Sequence, residues 1–134
     1  MSVPTPRELF ARFQRNALAG RAGLDEDMLT ADVILESPFA PAGHRRIEGR
    51  DEVVAMTRAG REALPIVFEE FQDVVIHETA DPEVIIVEYR MVAAMPGGGP
   101  RAQAAFAVVL RARDGRIAHW REYQDRSAIA EALG

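Results

Sequence analysis

The sequence predicts an α+β domain in which helices and a single strand come first and an antiparallel meander follows. Three observations carry that expectation. Before Pro65 most apolar residues recur at helical spacing. After it they fall into four long runs rich in Val, Ile, Phe and Tyr, and turn chemistry separates those runs. With 134 residues, 48% hydrophobic and 28% charged, the chain has the composition of one globular domain spanning 1–134.

In chain order, Thr5-Pro6-Arg7-Glu8 predicts a helix start. Thr5 suits the cap, Pro6 the first helical position, and Glu8 the partner place of a capping box. Leu9, Phe10, Phe13, Ala17 and Leu18 then repeat on one face until Gly20 and Gly23. A short second helix is expected over 24–29, where Asp25, Glu26 and Asp27 complement a helix N-terminus. Residues 30–36 read as a strand and 37–43, with two prolines and a glycine, as a loop. A helix is expected over 51–64, ended by Pro65. Strands follow at 66–78, 83–95, 101–113 and 116–125, then a closing helix at 127–133. Between the last two strands, Asp114-Gly115 predicts a two-residue type I′ hairpin.

That hairpin implies a register. Val109 faces Trp120, Ala107 faces Glu122 and Ala105 faces Gln124, all on one side of the sheet. An indole and a carboxylate set against alanines leave space, so this side is expected to face a cavity. Phe13 and Phe39 are expected to approach it from the helical side. The other side, with Phe106, Val108, His119, Arg121 and Tyr123, mixes apolar and polar groups as subunit contacts do. It predicts a homodimer through the outer face of the sheet.

Composition narrows the partners. A net charge of −5 argues against nucleic acid or an anionic membrane as the main partner, since both demand a cationic face. The absence of cysteine removes disulfides, thiolate zinc sites and cysteine nucleophiles, and His44, His77 and His119 form no close ligand pair. No apolar run reaches the ~18 residues that spanning a bilayer requires. Residues 1–7 show no basic segment leading into an apolar stretch, so no signal peptide is expected and the protein is expected in the cytoplasm.

Several motifs resemble those of the SnoaL-like, ketosteroid-isomerase-like superfamily, also called nuclear transport factor 2-like. They are Ala31-Asp32-Val33-Ile34-Leu35-Glu36-Ser37-Pro38-Phe39, then Arg46-Ile47-Glu48-Gly49-Arg50-Asp51, and above all the run from Asp114 to Asp125. The last is similar to the final strand of SnoaL-like and limonene-epoxide-hydrolase-like members. The resemblance implies a cone-shaped barrel: a curved antiparallel sheet and three helices enclosing a cavity. It implies no steroid isomerisation. The family's aspartate before Pro38 is replaced by Ser37, its helix tyrosine falls near Asn16, and its strand acid falls near Val108. The epoxide-hydrolase-like acid on the last strand is matched by Glu122. That pattern's Arg-x-Asp pair is matched, in reversed order, by Glu88-Tyr89-Arg90.

The candidate catalytic residues are therefore Glu122, Arg90 and Glu88. Burial beside Trp120 would raise the Glu122 carboxyl toward the range of a general acid or base, and an inward Glu88–Arg90 pair would orient water or polarise a carbonyl. Trp120, Phe13, Phe39, Val109, Ala107 and Glu36 are expected to line the ligand site. The function expected is cofactor-free and metal-free acid–base chemistry on a small apolar organic ligand, of isomerase, cyclase or hydrolase type. The alternative is a non-catalytic binding or dimerisation domain of the same fold.

Overall fold

The structure, a computed structural model, describes residues 2–133. Helix α1, Pro6–Leu18, begins as its sequence dictates. The Glu8 amide donates to Thr5 Oγ1 at 3.2 Å and the Thr5 amide donates to Glu8 Oε1 at 3.0 Å, which satisfies two amides the helix cannot pair itself. Strand β1 is Leu29–Ser37, β2 Arg45–Glu48 and helix α2 Arg50–Ala63. Strands β3, Val67–Glu78, β4, Val84–Ala94, β5, Ala102–Arg113, and β6, Arg116–Gln124, form the meander, and helix α3, Arg126–Leu133, follows.

The six strands form one curved sheet in the order β2-β1-β6-β5-β4-β3. All neighbours are antiparallel except β1 and β6, which run parallel, so the sheet is mixed. Its ends, β2 and β3, do not pair, and the expected barrel is instead an open sheet. Helix α1 crosses the inner face against β3 to β6, α2 packs on β1 and β2, and α3 lies against β5. Between them sit Leu9, Phe10, Met28, Leu29, Val33, Val53, Val87, Val108, Leu110, Ile117 and Trp120, all nearly inaccessible to solvent. Among the described residues no helix is long and apolar enough to cross a membrane.

Three local expectations change. The helix expected over 24–29 is only the 3₁₀ turn Glu26–Met28, because Met28 and Leu29 are already fully buried at the entry to β1. Strand β2 has no alternating apolar pattern of its own; it forms by pairing Arg45–Glu48 with Ser37–Ile34. The third change concerns the last hairpin. Asp114 and Gly115 do adopt φ of 54° and 78°, as a type I′ turn requires, and Arg113 faces Arg116. Ala112 then faces Ile117 but Arg111 faces His119, so Ala118 is the extra residue of a bulge. Beyond it, Leu110 faces Trp120, Val108 faces Glu122 and Phe106 faces Gln124. Trp120 and Glu122 keep the inner face, while Val109 and Ala107 turn outward, opposite to expectation. Phe106 and Val108 correspondingly leave the outer face, where the dimer expectation had placed them.

Candidate functional site

A cavity of about 450 Å³ opens between the inner face of the sheet and the three helices. Alternation builds it. Along β4, Tyr89, Met91 and Ala93 point inward; along β5 it is Ala104 and Phe106, and along β6 Glu122 and Gln124. Phe13 and Ala17 of α1, Thr57 and Arg61 of α2, Phe68 of β3 and Ile129 of α3 close the sides. Ala93, Ala102, Ala104 and Ala132 leave volume that larger side chains would fill. The size is within the ~300–1,000 Å³ of small-molecule sites.

Among the described residues Glu122 is the one carboxylate in this lining. Its Oε2 accepts from Gln124 Nε2 at 2.6 Å and its Oε1 faces Trp120 Nε1 at 3.4 Å. Burial pushes its carboxyl above the usual range, and the two neutral donors only partly offset that. Tyr89 is 4% exposed, stacked on Phe106 with centroids 5.3 Å apart. Burial, and then the negative charge of Glu122, holds its phenol well above the ordinary value, so it is a neutral O–H. That hydroxyl makes no hydrogen bond to any described residue. An aromatic wall stands behind the pair: Trp120 lies 4.7 Å from Phe13 and stacks on Phe10 at 6.3 Å.

Of the residues expected in the site, Glu122 and Phe13 line the cavity, and Trp120, 1% exposed, backs its wall. The others lie elsewhere. Glu88 and Arg90 point away from the cavity, because strand alternation that turns Tyr89 inward turns its neighbours outward. Glu88 Oε2 lies 2.6 Å from His77 Nε2, and Arg90 pairs with Asp73 at 3.0 Å, all exposed. Val109 and Ala107 are outward because of the Ala118 bulge. Phe39, 58% exposed, stands edge-on to Tyr123 at 5.4 Å on the outer face.

Glu36 also belongs to the outer face, opposite Arg121, yet it is 6% exposed. It contacts His44 Nε2 at 2.7 Å, His119 Nε2, and Arg46 at 3.9 Å. Burial alone would raise its carboxyl, but the hydrogen bonds from His119 and His44 outweigh it and hold the carboxyl below its usual value.

The sequence reading missed Tyr89; it placed Gln124 on the cavity side without giving it a part in the site. The signal for Tyr89 was present: Ile85, Val87, Tyr89 and Met91 are the apolar members of an alternation whose other members include Glu88 and Arg90.

A SnoaL-like domain family model matches residues 7–120. The chain belongs to the SnoaL-like family. Among curated relatives, the uncharacterized PhzA/B-like protein of Pseudomonas aeruginosa is 35% identical over 109 residues, covering 81% of this chain and 75% of that one. The uncharacterized protein YesE of Bacillus subtilis is 25% identical over 104 residues, covering 77% and 69%. Among solved structures, a candidate isomerase from Bacillus subtilis superposes with a TM-score of 0.83 at 22% identity, covering 96% of this chain and 92% of that one. The phenazine biosynthesis-related protein PhzB2 of Pseudomonas aeruginosa gives 0.73 at 19% identity, covering 96% and 84%. A candidate polyketide cyclase from Pseudomonas putida gives 0.73 at 18% identity, covering 96% and 97%. At these identities the likeness to the solved structures shows the fold alone.

Proposed function

We propose that this SnoaL-like protein is a small-molecule enzyme that moves a proton on an apolar metabolite, as an isomerase, cyclase or hydrolase does, with Glu122 as the general base and acid. The observation that carries this reading is the pairing of Glu122, its carboxyl raised by burial, with the unbonded neutral phenol of Tyr89 in one apolar cavity. A carboxylate whose basicity is raised takes a proton from carbon more readily than one in water. A neutral O–H aimed at the same space stabilises the oxyanion that forms when a proton leaves the carbon next to a carbonyl. The sequence of events is short. Glu122 takes the α-proton, the electron pair moves into the carbonyl, Tyr89 donates to the resulting enolate oxygen, and Glu122 returns the proton to the same or a neighbouring carbon. Neither Glu88 nor Arg90 enters this scheme, since both face away from the cavity.

The test is proton exchange. In deuterated buffer the protein should speed incorporation of deuterium beside the carbonyl of cyclic aryl ketones such as 2-tetralone, followed by proton NMR. Glu122→Gln should remove the acceleration while ketone affinity, measured by calorimetry, stays within a few-fold. Ketone binding with no exchange, or with exchange unchanged in the variant, overturns the catalytic reading in favour of a binding domain.

The proposal extends to assembly, with a second copy of the chain covering the outer face. Helices cover only the inner side, and Phe39, Val74 and Val75 remain exposed on or beside the outer side, with Arg121 stacked over Tyr123 at 5.9 Å. Self-association through such a face buries ~1,600 Å² in a standard interface. Sedimentation at micromolar concentration should give twice the chain mass; a monomer overturns it.

A further inference from the structure

The chain as a whole is acidic, but the lining of its cavity is not. Arg21, Arg61 and Arg126, from three separate parts of the chain, line it together with Glu122, the single carboxylate there among the described residues. Elsewhere seven of the other thirteen arginines pair with carboxylates, Arg12 with Asp25 and Arg113 with Asp32 among them. None of the three cavity arginines does so among the described residues. Each is instead held by neutral groups. Arg21 donates to the side-chain oxygen of buried Asn16 at 3.0 Å. Arg61 donates to the carbonyls of Leu64 at 3.3 Å and Ile66 at 3.1 Å, with its guanidinium over the Phe68 ring at 5.2 Å. Arg126 donates to Gln124 Oε1 at 3.4 Å, and Gln124 in turn donates to Glu122.

We propose that the ligand of this cavity has an apolar ring body and carries a carboxylate, seated on Arg21, Arg61 and Arg126. The inference rests on the cavity being a small-molecule site, as proposed above. Three guanidiniums without a counter-ion among the described residues, Arg21 at the exposed rim and Arg61 and Arg126 half-buried, surround one apolar space and suit an anion, and their neutral partners help to fix them in place, which lowers the ordering cost of binding. Several of their N–H groups are already engaged, and Arg61 Nε is sealed from solvent. The donors that remain suit a planar monoanion with two acceptor oxygens. The chain Arg126–Gln124–Glu122 places the anion one side chain away from the proposed base. The reacting carbon then belongs to the ring that bears the carboxylate, or to the ring fused to it.

Calorimetric titration of the whole chain with 2-naphthoate and biphenyl-4-carboxylate, each against its methyl ester, tests this. The fluorescence of Trp120, the one tryptophan, gives a second readout beside the cavity. The acids should bind at least ~10-fold more tightly than the esters, as a charge-assisted contact requires, and the preference should shrink with added salt. Arg21→Gln and Arg126→Gln should each reduce the acid affinity while leaving that of the ester unchanged. Should a variant not fold, the acid-to-ester ratio and salt dependence of the natural chain still decide. Equal binding of acid and ester overturns the anion site but keeps the cavity reading. An equal or larger preference for 2-naphthyl phosphate overturns the assignment to a carboxylate. Binding of neither acids nor esters overturns the cavity reading and this inference with it.

Discussion

Glu36 and Glu122 sit on neighbouring strands of one sheet, and both are withdrawn from bulk water, yet their carboxyls shift in opposite directions. Glu122 faces the inner cavity with a neutral amide and an indole as its donors, so burial dominates and its proton is held more tightly. Glu36 faces the opposite side, where His44, His119 and Arg46 converge on it, and its proton is held less tightly. Burial does not decide what a carboxylate does. Its partners do, and strand parity chose the partners. The inner carboxylate is left in an apolar setting at the expense of stability, while the outer one is bound by its partners and ties β1, β2 and β6 together.

The largest effect expected from breaking this comparison is on chemistry. Glu122→Gln should lower ketone exchange by ~10²–10⁴-fold, the range for loss of a general base. Tyr89→Phe should lower it by about 10²-fold, as for loss of one oxyanion donor. Because that hydroxyl has no partner among the described residues, thermal stability should hold or rise, which calorimetric melting checks.

Stability shows the comparison from the other side. Glu36→Gln should destabilise the protein by about 1–3 kcal/mol at neutral pH, through loss of charge-assisted hydrogen bonds. The two carboxyls also bend the pH profile in opposite senses. The lowered Glu36 contributes stability above the ordinary carboxylate value, and that contribution disappears as pH falls through its folded value. The raised Glu122 weakens the fold as pH climbs from the ordinary carboxylate value through its higher folded one. Melting from about pH 3 to pH 8 should therefore show the acid limb flattened in Glu36→Gln and the rising-pH limb flattened in Glu122→Gln. Identical profiles in the two variants would sink the comparison.

A smaller effect sharpens the inner site. A methyl group at Gly23 would stand 2.4 Å from the Phe13 ring, so Gly23→Ala must displace a cavity wall. It should cost about 1–3 kcal/mol, as overpacking does, and weaken ligand binding. The smallest effect is expected at Glu88→Gln and Arg90→Gln, exposed on the outer face. Stability should change by no more than ~0.5 kcal/mol and exchange not at all.

The local devices were legible in the chain. The Thr5–Glu8 capping box, the stop at Pro65, the Asp114-Gly115 turn and the four long strands each depend on a few adjacent residues and formed as read. The motifs from Ala31 to Asp125 likewise carried the family, because a fold is written across many positions. Glu122 and Phe13 were legible as cavity residues for similar reasons, one from its strand and one from an amphipathic helix.

What the sequence by itself determined, then, is which segments form which elements. What the tertiary structure decided is which way their side chains point and whom they meet. One extra residue at Ala118 reversed the facing of half a hairpin, since a strand repeats every two residues and a single insertion inverts parity. Strand β2 exists only because β1 offers it an edge, and the Glu36 cluster only because β2 and the residue before it bring Arg46 and His44 beside His119. The three cavity arginines lie at positions 21, 61 and 126, too far apart for any local pattern to join them. Long-range packing alone sets them around one space.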